Sequence, residues 1–188
     1  MRYSIKWPEY AKQWNAMIIN PSRQKQFDDI ARKQVSLKNR YLQVQTLTNV
    51  PWYSVALTHL READNDFSKG LAQGDPWNRR STHEPICGPF NSFNESCVWA
   101  LKHDGMTSVH DWRLEKILYW EEIFNGMGYD MRGLPSPYIW GGTNIQKPGK
   151  YVEDHVFSKT RWDMQPGVAP ILFTMSKIDN TIVFTRED

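Results

Sequence analysis

The sequence is poor in cysteine, in long apolar runs and in net charge. Its two cysteines, Cys87 and Cys97, have no companion cysteine or histidine pair at metal-ligand spacing, so we expect no metal site and no cofactor. No window is apolar enough to cross a bilayer, so stable membrane insertion is not expected. The net charge is only +2 and the Lys and Arg residues are scattered, which argues against a dedicated nucleic-acid binder.

Aromatic residues, in contrast, are abundant. The 188 residues include nine Trp and eight Tyr, more than a core requires, since both side chains carry a polar group that prefers a partly wet site. Such rings stack on sugars in carbohydrate-binding clefts, although core and rim packing explains most of them.

The length suits one compact domain, so we predict a single domain over residues 1–188.

The most informative stretch covers residues 50–82. Pro51 suits a first helical turn, and apolar residues from Trp52 onward recur at helical spacing on the face that carries Glu62. Asp64-Asn65-Asp66 supplies turn formers, so the helix is predicted to end just past Glu62.

A carboxylate at this position is suited to acid catalysis. Glu62 would face the negative end of the helix dipole, and Trp52 and Phe67 would remove water from around it, so both effects predict a raised pKa. A carboxylic acid that stays protonated near neutral pH can protonate a glycosidic oxygen. The alternative is a solvated helix-end residue that Arg61 or Arg79 neutralises.

The segment HLREADNDF resembles the catalytic-helix motif of lysozyme-superfamily peptidoglycan hydrolases. PWYSVALTHLREADNDF, GDPWNRRST, NGMGYDMRGLPSPYIWGGTN and GKYVEDHVF are similar, in the same order, to blocks of the bacterial and phage "lysozyme family protein" group, many of whose members are endolysins. The resemblance covers approximately residues 7–156. It implies a mainly α, lysozyme-like fold with a small β-hairpin or loop region after the catalytic helix, and it implies Glu62 as the catalytic acid.

The resemblance also implies a second acid and a hydroxyl that hold the hydrolytic water, and Asp75 and Thr82 are the best matches. Carboxyl groups about 6.5–9.5 Å apart would predict inversion and groups about 5–5.5 Å apart retention, and the sequence does not choose between them. Asp64 and Asp66 are rivals to Asp75, but turn formation explains them adequately. The chain departs from the group at Ala63, where Ser is common, and around residues 71–73, where a His-Leu-His-Asn run is expected.

Further residues are predicted to contact the substrate. His59, one turn before Glu62, is predicted to belong to the substrate-binding residues, where it could tune Glu62 by hydrogen bonding. The alternative is a satisfied histidine of the core or one that supports the site from behind, and the supporting role is preferred. The glycine-rich block at residues 125–144 suits a wall of a saccharide cleft, where aromatic rings stack and amides bond N-acetyl groups. By resemblance we expect its binding residues to be Tyr129, Tyr138, Trp140 and Asn144, with a purely structural loop as the alternative.

Periodicity and capping signals predict the other elements. We expect helices over 7–19 and from an Asn20-Pro21 start to about residue 47, a helix capped by Asn94 that ends before Gly105, and a helix from Asp111 to about residue 124. Residues 63–89 form a loop or small hairpin, and Asp154-His155 suggests a helix or turn. Residues 168–175 are an apolar helix or buried strand, and the tail from Thr181 is a short strand or poorly ordered.

The predicted function is cleavage of the β-1,4 bond between N-acetylmuramic acid and N-acetylglucosamine by a monomer that acts on peptidoglycan glycan strands. The alternatives are a lytic transglycosylase, which needs only Glu62 and forms anhydro ends, and a non-catalytic glycan-binding protein. Because MRYSIKWPEYAKQWNAM lacks the apolar core of a secretory signal, the chain would accumulate in the host or bacterial cytoplasm. It would reach the wall in the periplasm after a separate protein permeabilises the membrane.

Overall fold

The computed structural model describes residues 3–153 and 156–184, with side chains from residue 8 onward. This part of the chain is mainly helical, as predicted, with one small antiparallel sheet. Its α-helices are α1 (Tyr3–Ala16), α2 (Gln24–Ser36), α3 (Lys38–Thr48), α4 (Trp52–Ala63), α5 (Phe93–His103), α6 (Leu114–Asn125), α7 (Pro137–Trp140) and α8 (Val168–Ile178). Its strands are β1 (Lys150–Glu153) and β2 (Val156–Ser158).

The predicted long second helix is two helices. The Asn20 side chain accepts a hydrogen bond from the Ser22 amide at 3.0 Å, which confirms the start signal but caps a short 3₁₀ turn that precedes α2. The run then breaks at Leu37, whose amide bonds to the Gln34 carbonyl at 3.1 Å and whose carbonyl accepts from the Arg40 amide at 3.0 Å. These three-residue spacings replace the four-residue spacing of an α-helix and separate α2 from α3.

Two predicted helix starts are wrong by two or three residues. Ser92, not Asn94, caps α5, and its hydroxyl accepts a hydrogen bond from the Glu95 amide at 3.1 Å. Both residues are good N-caps, and the one that reaches the third amide of the helix takes the role. Helix α6 begins at Leu114 and not at Asp111.

The regular hairpin lies later in the chain than the predicted loop region. Residues 64–92 form an extended loop with one isolated bridge between Lys69 and Pro76, whereas β1 and β2 pair antiparallel with Tyr151 opposite Phe157. The predicted turn at Asp154-His155 lies outside the described residues. The apolar segment at 168–175 is helical, and residues 181–184 form no strand.

The chain divides into two compact units. Unit 1 contains Met1–Lys33 and Arg113–Asp188, and its core lies where α6, α7 and α8 pack together, with fully buried side chains such as Ile117 and Leu172. Unit 2 contains Gln34–Trp112, and its core lies where α3 packs on α4 and α5. The predicted single catalytic domain stays a prediction. Within the described residues, every helix is too short or too polar to cross a bilayer.

Candidate functional site

Glu62 lies in the last turn of α4 and is half-buried. The helix is anchored by its apolar face, because every residue from Trp52 to His59 is buried. It ends at Ala63, as predicted, and Asp64 and Asn65 then adopt left-handed conformations with φ of 51° and 60°. Asn and Asp tolerate this conformation better than other non-glycine residues, so the Asp-Asn pair terminates the helix one residue after Glu62.

A buried hydrogen-bond network holds this helix end in place. The side-chain amides of Asn65 and Gln34 form two hydrogen bonds. Asn65 Oδ1 accepts from Gln34 Nε2 at 2.7 Å, and Asn65 Nδ2 donates to Gln34 Oε1 at 3.2 Å. Asn65 Nδ2 also donates to the Tyr41 hydroxyl at 2.9 Å. The Tyr41 hydroxyl contacts His59 Nδ1 at 2.9 Å. Burial raises the pKa of Tyr41, so it stays a neutral phenol and donates to that nitrogen. The network ties the residue that ends α4 to α2 and α3.

His59 is part of this network and of the core of unit 2. It is fully buried, its Nε2 lies 3.2 Å from the Asp66 carbonyl oxygen, and its ring packs against Phe67 and Phe93 at centroid distances of 5.0 and 4.7 Å. A carbonyl only accepts, so Nε2 carries the proton and Nδ1 accepts from Tyr41. This placement favours the satisfied core histidine over the predicted substrate contact.

The loop after α4 returns to the end of that helix at Gly74. Gly74 has φ of +67°, and a Cβ on it would lie 2.5 Å from the Glu62 carbonyl oxygen. Only glycine meets both conditions without displacing the backbone. The Gly74-Asp75 step is therefore packed directly against the main chain of Glu62, and the two acids predicted from separate motifs belong to adjoining backbone segments.

Asp75 is held by Thr82 and His83 from the far side of the loop. Its Oδ2 accepts hydrogen bonds from the Thr82 amide at 2.8 Å, the Thr82 hydroxyl at 3.3 Å and the His83 amide at 3.3 Å. The Nδ1 atom of His83 lies 3.2 Å from both carboxylate oxygens. The Thr82 amide, followed by the hydrogen bonds and charge of His83, lowers the pKa of Asp75, so this carboxyl group is ionised near neutral pH.

The structure thus brings Asp75 and Thr82 together and adds His83, which the sequence reasoning missed. The only signal for it was its position directly after Thr82. The rival Asp66 is engaged in a turn, because its Oδ1 accepts from the Ser68 amide at 3.0 Å and from the Ser68 hydroxyl at 2.7 Å. The other rival, Asp64, caps α4.

The four predicted binding residues of the glycine-rich block lie in unit 1. Three of them are buried, with exposed fractions of 7% for Tyr129, 3% for Tyr138 and 1% for Trp140. Asn144 is exposed, but its Oδ1 accepts from the Ile18 amide at 2.7 Å and its Nδ2 donates to the Ala16 carbonyl at 3.0 Å. The three aromatic residues are buried by packing of the loop, and the hydrogen bonds of Asn144 anchor the segment after α1. The burial of the aromatic rings therefore disfavours the predicted stacking of these rings on sugars.

Comparisons of the chain with protein-family models, with curated proteins and with solved structures found no match. The geometry around Glu62, together with the motif resemblance expected from the sequence, is therefore the ground on which a function can be proposed.

Proposed function

We propose that this chain is a peptidoglycan-degrading glycoside hydrolase with a lysozyme-like fold. It cleaves the β-1,4 bond between N-acetylmuramic acid and N-acetylglucosamine, with Glu62 as the general acid and Asp75 as the second carboxylate. The substrate is the glycan strand of the wall, on which the chain acts as a monomer in the periplasm after release from the cytoplasm.

The observation that carries this proposal is the contact between Gly74 and the Glu62 carbonyl. This contact gives a reason for the presence of the Gly-Asp-Pro step in the same chain as the helix motif. The loop meets the end of the helix at this glycine, and only a glycine fits there. The motif resemblance and the contact are independent grounds. One concerns residue types along the chain, and the other concerns their arrangement in space.

The two carboxyl groups have environments suited to different roles. Glu62 is half-buried at the carbonyl end of a helix, where the dipole disfavours its ionised form. Asp75 accepts several hydrogen bonds, which favour its ionised form. The proposal assigns the acid's role to Glu62 and the role of base or nucleophile to Asp75, which is the usual division of roles between two catalytic carboxyl groups.

In the proposed reaction, Glu62 donates its proton to the glycosidic oxygen as the bond from that oxygen to the anomeric carbon breaks. A water molecule supplies the new hydroxyl at the anomeric carbon, and its proton passes to Asp75. The Thr82 hydroxyl, which lies 3.3 Å from Asp75 Oδ2, orients Asp75 or the water that Asp75 activates. Proton transfer back from Asp75 to Glu62 through solvent restores both groups.

The test is product analysis after incubation of the chain with purified peptidoglycan. We expect soluble fragments with new reducing N-acetylmuramic acid ends, identified by mass spectrometry before and after borohydride reduction. Anhydro-muramic ends would show a lytic transglycosylase instead, because the substrate's own hydroxyl would then have replaced water. Binding to peptidoglycan without release of fragments would refute hydrolysis and favour a glycan-binding protein.

A further inference from the structure

Unit 1 contains a cavity of about 180 Å³ that plays no part in the proposed hydrolysis. It lies between α1, α6 and the segment that leads into α7. We call it the acidic cavity. Its wall includes Glu9, Tyr10, Glu122, Asp130, Ser136 and Trp140.

The charged side chains among the described lining residues are all acidic. Glu9, Glu122 and Asp130 supply three carboxyl groups, and no Lys, Arg or His is found among the described residues that line the cavity. The Tyr10 hydroxyl donates a hydrogen bond to the buried Glu122 carboxylate. Burial, followed by the negative charges of Glu122, Asp130 and Glu9, raises the pKa of Tyr10, so the phenol adds no charge of its own.

Ser136 provides a second observation that points to a ligand. It is 1% exposed, and its Oγ has no hydrogen-bond partner among the described residues. The residue occupies the N-cap position of α7, yet its hydroxyl does not cap the helix. A buried hydroxyl without a partner is costly, and such groups are rare in native structures unless a bound molecule completes them.

The remaining wall is partly apolar. It consists of Gln13 and Gly133 together with the apolar Leu134, Pro135 and Trp140, and Trp140 is 1% exposed. An aromatic ring attracts a cation through its face, and aliphatic side chains accept the alkyl part of an amphipathic ligand. The described His, Cys, Asp and Glu residues form no group of three that could hold a metal ion, which disfavours a divalent cation here.

We propose that the acidic cavity binds a primary ammonium group on a short alkyl chain, with the carboxylates and the Ser136 hydroxyl around the nitrogen and Trp140 beside the chain. An apolar cavity of about 150 Å³ holds benzene, so the acidic cavity holds a ligand of roughly six non-hydrogen atoms. A free alkylamine and a lysine-type side chain both present this chemistry. The proposal does not depend on the role of Glu62.

The test is isothermal titration calorimetry of the full chain at pH 7 with pentylamine, with Nα-acetyl-lysine amide and with 1-pentanol. Pentylamine carries the charge, and 1-pentanol is its neutral counterpart of the same length. We expect one pentylammonium to bind per chain and the alcohol to bind at least about tenfold more weakly, because it forms no charge-assisted hydrogen bonds. Binding of the lysine derivative as well would identify a side chain as an accepted source, and binding of pentylamine alone would identify a free amine.

Two variants test the placement of the ligand. Ser136→Ala removes a buried hydroxyl that has no partner among the described residues, so it is expected to keep or raise the unfolding temperature of the ligand-free chain while weakening pentylamine binding by about fivefold. Asp130→Asn is expected to weaken binding by about tenfold. Glu84→Gln is the matched control, since it removes an exposed carboxylate from unit 2 and is expected to leave binding unchanged.

Three results would overturn the proposal. The first is a failure of both amines to bind, and the second is equal binding of pentylamine and 1-pentanol, which would show that charge is not recognised. The third is unchanged affinity in both Ser136→Ala and Asp130→Asn, which would place the bound amine elsewhere on the chain.

Discussion

Replacement of Gly74 by alanine tests the contact on which the proposed function rests. Two costs combine at this position. An alanine held at φ of +67° costs about 1–2 kcal/mol, and its Cβ would lie 2.5 Å from the Glu62 carbonyl oxygen, so one of the two backbone segments must also move. We expect Gly74→Ala to lower the free energy of unfolding by more than the conformational cost alone.

The expected effect on activity is larger than the effect on stability. A displacement of about 1 Å between catalytic groups can lower the rate by about 100-fold. Asp75 adjoins Gly74, and Glu62 carries the carbonyl group that Gly74 contacts. We therefore expect Gly74→Ala to lower the rate of peptidoglycan clearing by about 100-fold. Urea denaturation and the rate of turbidity loss measure the two quantities on the same preparation.

Gly133 provides a matched control. It has the same φ of +67°, but a Cβ on it would meet no atom within 4 Å. Gly133→Ala is therefore expected to cost only the conformational term, about 1–2 kcal/mol, and to leave clearing unchanged. Equal losses of stability and equal clearing in the two variants would show that the contact with Glu62 is unimportant, and the reasoning would be refuted.

Two further predictions concern the groups around Glu62 and Asp75, and a third concerns the cap of α5. His83→Ala is expected to raise the pKa of Asp75, because His83 helps to lower it, and so to move the acid limb of the clearing profile to higher pH. The exposed His110→Ala serves as its control, and an identical acid limb in both variants would contradict the role of His83. Tyr41→Phe removes one hydrogen bond from each of the buried His59 and Asn65 side chains, so we expect a loss of about 1–3 kcal/mol in urea denaturation. A loss below about 0.5 kcal/mol would contradict that network, given a net value near 1 kcal/mol for a typical hydrogen bond. Ser92→Ala is expected to cost about 1 kcal/mol by removal of the α5 cap, whereas Asn94→Ala should not show a capping loss, and the reverse order would contradict the cap assignment.

The local features of the site could be predicted from the sequence. The apolar spacing from Trp52 and the Asp64-Asn65 turn formers placed Glu62 in the last turn of α4, and both signals act over a few residues. The partners that meet across the chain could not be predicted in the same way. The contact of Gly74 with the Glu62 carbonyl and the Gln34–Asn65 pair depend on tertiary packing, which leaves no local pattern.

Burial was the main property that the sequence did not reveal. Tyr138 and Trp140 carry polar groups and lie in a segment rich in glycine and proline, so their sequence context resembles that of an exposed binding loop. In the structure they lie in or beside the short helix α7, where they are 3% and 1% exposed. His59 likewise shares a helix face with Glu62 in the sequence pattern but points into an aromatic cluster of the core.

The most direct test of the central claim is the clearing of purified peptidoglycan by the wild-type chain and by Glu62→Gln. The replacement keeps the shape of the side chain and removes its proton-donating ability, while Glu84→Gln controls for loss of an exposed carboxylate. If Glu62 is the general acid, a folded Glu62→Gln should clear about 10²–10⁴-fold more slowly, and Glu84→Gln should match the wild type. Clearing by folded Glu62→Gln at the wild-type rate would contradict the account.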